Sequence, residues 1–85
     1  MEISDLKLKE KTASLINFYN AGKFDEVFDL TKKLIEQYPR SVTLWNLLGA
    51  ASKNLRNIDE SINSFKKVIE LNPQYADGHN NLGVV

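Results

Sequence analysis

The chain has 85 residues, eleven Lys and Arg against eleven Asp and Glu, and no cysteine. One small domain fits that length, and it buries only about 60–65% of the surface its unfolded form exposes. Balanced charge argues against a nucleic-acid binder, which carries a basic excess or stripe, and the lack of cysteine excludes a disulfide framework or a thiolate metal site.

Residues 1–4 read as a lead. Met1-Glu2 shows neither a basic n-region nor an apolar h-region. No apolar run approaches the ~18 residues of a membrane span. A soluble, cytoplasmic module is therefore expected. Asp5 is placed to cap a first helix with Leu6, Leu8, Ala13, Leu15, Ile16 and Phe18 on its apolar side. Asn20-Ala21-Gly22 ends it, because Gly22 tolerates the left-handed backbone common at a helix terminus. A second helix is predicted from Phe24 to Tyr38, with Phe24, Val27, Phe28, Leu30, Leu34, Ile35 and Tyr38 apolar, and Pro39 stops it. Ser41 can cap a third helix from Val42 to Leu55. Asn57-x-x-Glu60 fits a capping box, in which a side-chain oxygen and a glutamate satisfy free backbone donors. The fourth helix then runs from Ile58 to Leu71, with Ile62, Phe65, Val68 and Ile69 inward. Asn72-Pro73 ends it, and a fifth helix begins near Tyr75. No segment alternates apolar and polar residues as a strand would.

The chain overlays itself at a shift of 34 residues. Asp25-Glu26 falls on Asp59-Glu60, Lys32-Lys33 on Lys66-Lys67, Pro39 on Pro73, and Leu48-Gly49 on Leu82-Gly83. A fixed period of this size marks stacked helical hairpins, each burying its remaining apolar face on the next. The units are 8–41, 42–75 and a partial third, 76–85. Apolar Tyr75, Leu82, Val84 and Val85 would leave an uncapped end. This reads as the N-terminal part of a longer chain, able as a fragment to form a homodimer through that end.

These residues resemble the tetratricopeptide repeat family. The second unit matches best: Trp45, Leu48, Gly49, Phe65 and Pro73 stand at its signature positions, with Ser52 in the usual tyrosine slot and Ser61 in the usual alanine slot. In the first unit, Lys11 and Leu15 replace the tryptophan and glycine. The resemblance implies an all-α, right-handed superhelical solenoid whose first helices line a concave groove for a peptide or partner protein. Small Gly49 would let the helices of one hairpin approach closely. The groove residues by register include Ile16, Tyr19, Asn20, Asn46, Leu47, Asn54, Asn80 and Asn81.

One subfamily grips the carboxyl terminus of heat-shock chaperones with lysines, an arginine and asparagines. Those slots here hold Thr12, Ile16, Leu47, Asp77 and Asn81, and only Asn81 matches. Asp77 has the wrong sign for that partner. His79 to Val85 is similar to repeats found ahead of O-linked sugar-transferase domains, which use an asparagine ladder on peptide backbone. Asn81 fits that ladder and Leu47 interrupts it.

No residue set points to catalysis or to a cofactor. His79, the sole histidine, aligns with packing residue Trp45 and has no suitably spaced metal or proton-transfer partners. Asp25-Glu26 and Asp59-Glu60 recur with the repeat at helix starts, where negative charge complements the helix dipole. Lys32 and Lys66 precede Glu36 and Glu70 by four residues, and Asp29 precedes Lys33 by four, the spacing of solvated ion pairs. The expected function is a non-catalytic interaction module with no nucleic-acid or membrane partner. Two alternatives are a substrate-recruiting arm of a larger glycosyltransferase or sulfotransferase, and a self-association module.

Overall fold

The computed structural model describes residues 3–73. They form four helices: α1 (Ile3–Asn20), α2 (Phe24–Gln37), α3 (Val42–Asn54) and α4 (Ile58–Leu71). No strand occurs among the described residues. Residues 21–23 and 55–57 join the helices of each hairpin, and connections this short turn each pair antiparallel. The predicted fifth helix lies outside the described residues.

Both hairpin turns close with the same hydrogen bonds, one period apart. After α1, Gly22 N donates to Tyr19 O at 3.0 Å and Lys23 N to Phe18 O at 2.9 Å. After α3, Arg56 N donates to Lys53 O at 3.1 Å and Asn57 N to Ser52 O at 2.8 Å. This Schellman pattern satisfies the last helical carbonyls and needs a left-handed residue at its centre. Gly22 supplies it with φ 79°, as expected, and Arg56 takes the same role with φ 63°.

Ser41 caps α3 as predicted, its side chain accepting from Leu44 N at 3.3 Å. Three local expectations are corrected. Asp5 lies inside α1, which begins at Ile3, and a capping residue must stand outside the helical backbone. The capping box is half made: Asn57 Oδ1 accepts from Glu60 N at 3.5 Å, while Asn57 N is already engaged by Ser52 O. The Glu60 carboxylate lies 4.0 Å from Lys32 Nζ. The four-residue ion pairs are also absent among the described residues. Lys67 pairs with Glu70 at 3.2 Å, and Lys32 also rests 5.2 Å from the Phe28 ring centre.

Leu15, Ile35, Leu44 and Leu48 form a core cluster joining the two hairpins, with Phe28, Leu34 and Trp45 packed against it. Trp45 Nε1 donates to Pro39 O at 2.7 Å and ties the inter-repeat turn to α3. Helix α3 packs most extensively on α4 and then on α2, whereas α1 packs more sparsely on α2. The expected close approach at Gly49 is present: a Cβ built there would lie 2.6 Å from Phe65 Cε1. Ser61, in the slot where alanine is usual, donates through Oγ to Gly49 O at 3.0 Å. Thr31, Ser52 and Ser64 are fully buried too, their hydroxyls without partners.

Candidate functional site

The predicted contact residues on the described helices fall on α1 and α3. Periodicity puts Ile16 and Tyr19 on one side of α1 because three residues span nearly one turn. Ile16 is 44% exposed, large for an isoleucine. Tyr19 is half-buried, its ring edge-on to Phe24 with centroids 5.1 Å apart. Asn20 is exposed at the helix end.

Across the hairpin boundary, Asn54 Nδ2 donates to Tyr19 Oη at 3.0 Å and to Ala50 O at 2.9 Å. Both amide hydrogens are therefore used within the protein. Asn54 keeps its Oδ1 as an acceptor, and Tyr19 keeps its hydroxyl hydrogen as a donor. The tertiary contact thus divides the donor and acceptor roles between two residues on two hairpins.

The remaining residues are less available. Leu47 is half-buried and packs against the core cluster, so only part of its side chain is free for a ligand. Asn46 is also half-buried. Asn80 and Asn81, His79 and the apolar C-terminal end lie outside the described residues. Toward the starts of α1 and α3, Leu8, Lys9, Thr12, Ser41 and Thr43 line a hollow of about 220 Å³. Thr12 Oγ1 donates to Lys9 O at 2.9 Å there. The hollow lies toward the starts of α1 and α3, and the Tyr19–Asn54 pair toward their ends. Ten residues of helix separate Lys9 from Tyr19, about 15 Å of rise.

Among the described residues no group of three potential metal ligands comes together, and no helix is long and apolar enough to cross a membrane. The acidic pairs Asp25-Glu26 and Asp59-Glu60 stand in the first turns of α2 and α4.

Residues 57–85 match a family model described as TPR repeat. Over 67 residues the chain is 33% identical to the peroxisomal targeting signal receptor of Candida albicans, covering 79% of this chain and 11% of that protein. It is 30% identical over 69 residues to the receptor of the same name from Eremothecium gossypii, covering 81% and 12%. The Saccharomyces cerevisiae receptor is 28% identical over 67 residues, covering 79% and 11%. The chain spans about a tenth of the length of these relatives. The hairpin pairs, the repeated turn geometry and the family match agree: this chain carries tetratricopeptide repeats.

Proposed function

We propose that the chain is a non-catalytic interaction module that holds a short extended peptide segment along the shared face of α1 and α3. The observation that carries this reading is the Tyr19–Asn54 hydrogen bond. It leaves one free donor and one free acceptor side by side, the complement of a peptide's C=O and N–H. Exposed Ile16 adds an apolar contact one turn away, and Leu47 and Asn46 border the same face. At roughly 3.3 Å per extended residue, the distance from the Lys9 end to Tyr19 accommodates about four or five peptide residues. The relatives are named as receptors for a targeting signal, which supports a short peptide signal as the ligand class.

The test is peptide binding by the 85-residue chain, screened with a library of short peptides by fluorescence anisotropy. Tyr19→Phe and Asn54→Ala are each expected to weaken a selected peptide by up to about tenfold, the scale of one hydrogen bond. The Asn46→Ala/Asn54→Ala pair is expected to weaken it further. Affinity unchanged by these substitutions would place the ligand elsewhere.

A further inference from the structure

We propose that a second face, formed by α1 and α2 of the first hairpin, binds an acidic amphipathic helix from a partner protein. This groove is distinct from the shared face of α1 and α3. Leu15, Phe18, Leu30 and Leu34 form its apolar floor, Lys11 and Lys33 stand on its rim, and its volume is about 340 Å³. No residue of α3 or α4 lines it.

The repeat register sets this face apart from its counterpart on the second hairpin. Shifting by one period places Phe18 on Ser52 and Leu30 on Ser64. Ser52 and Ser64 are fully buried, with hydroxyls that find no partner, while Leu30 is 40% exposed. The first hairpin thus carries a phenyl ring and an isobutyl group where the second carries two buried hydroxyls.

The occupant follows from geometry and charge. Helix α2 packs on α3, so a helix is what the next hairpin in the stack receives. The groove runs from Lys11 to Phe18, about 10 Å or two helical turns. An amphipathic helix with apolar residues at i, i+3, i+4 and i+7 fits such a groove. The rim selects its charge. Neither Lys11 nor Lys33 has an ion-pair partner among the described residues, and no acid lines the groove. Lys23 adds a third cation, its Nζ 5.8 Å from the Phe18 ring centre. Asp or Glu flanking the apolar stripe would meet these lysines.

The experiment is methyl NMR on the 85-residue chain, titrated with a synthetic helical peptide of about four turns. One version carries Leu at those spacings with Glu flanks; the control carries Lys flanks. Shifts at Leu15, Leu30 and Leu34 are expected, with the Glu peptide binding about tenfold tighter, the scale of two rim charge pairs. Phe18→Ser/Leu30→Ser, which copies the second repeat, is expected to abolish the shifts. Lys11→Glu/Lys33→Glu lies on the surface and is expected to reverse the peptide preference, which keeps the test open if the serine variant fails to fold. Any of three outcomes overturns the proposal: no shift at these methyls, shifts confined to Ile16 and Leu47, or self-association that Leu30→Ser dissolves. The last would assign the face to a second copy of the chain.

Discussion

Gly49 and Phe65 are in contact so close that any side chain at the glycine would meet the ring. A Cβ at position 49 would stand 2.6 Å from Phe65 Cε1 and 2.8 Å from Cδ1 and Cζ. The ring is 1% exposed and has no free space to retreat into. Gly49→Ala sets two effects against each other. Alanine gains about 1 kcal/mol of helix propensity in mid-helix, and overpacking a filled core costs typically 1–3 kcal/mol. Overpacking should win, with a net loss of up to about 2 kcal/mol in urea unfolding. Phe65→Leu in the same chain should recover part of that loss. Equal or greater stability for Gly49→Ala alone would show that the ring has another place to go.

The four buried hydroxyls should not respond alike to truncation. Ser61 Oγ bonds to Gly49 O, so Ser61→Ala should cost about 1 kcal/mol. Ser64 is equally buried with no partner, so Ser64→Ala removes an unsatisfied group and should be neutral or stabilising. Thermal melts of the two variants compare them directly, and a larger loss for Ser64→Ala would contradict the contact pattern.

Arg56 holds a left-handed conformation that its repeat counterpart fills with glycine. A residue with a Cβ costs roughly 1–2 kcal/mol in that region. Arg56 is exposed, so little packing is lost on replacement. Arg56→Gly should therefore raise stability by up to about 1 kcal/mol after glycine's extra unfolded-state entropy is subtracted. Gly22→Ala should lower it by a similar amount, although nothing lies within 4 Å of a Cβ at that position. A destabilised Arg56→Gly would mean that the arginine side chain has a stabilising role.

The Tyr19–Asn54 hydrogen bond links the two hairpins at an exposed site. A double-mutant cycle with Tyr19→Phe and Asn54→Ala should give a coupling of about 0.5 kcal/mol, the low end for such a bond in water. Additive effects would mean that the pair is not formed in solution.

Much of this architecture was legible along the chain because a helical repeat is written in local terms. The 34-residue period, the turn at Gly22, the cap at Ser41, the stop at Pro39 and the need for a small residue at Gly49 each rest on a few neighbouring positions. Ile16 and Tyr19 stand on α1 and Asn54 on α3, the first helix of each hairpin. Side-chain partners were not legible. Lys32 has Glu36 one turn away but stands nearest Glu60 on another helix. Exposed ion pairs at four-residue spacing are too weak to exclude such competitors.

The order of residues by itself determined an all-α hairpin repeat, because apolar spacing and turn chemistry act within a single helix or loop. Only the tertiary structure decided which polar groups remain for a partner. Asn54 spends both amide hydrogens inside the protein, one of them across 35 positions of sequence on Tyr19. Packing likewise buried Ser52 and Ser64 while leaving Leu30 in the open, although the two hairpins share one register. Burial depends on how closely the packed helices approach, α3 packing far more extensively on α4 than α1 does on α2, and no local pattern records that.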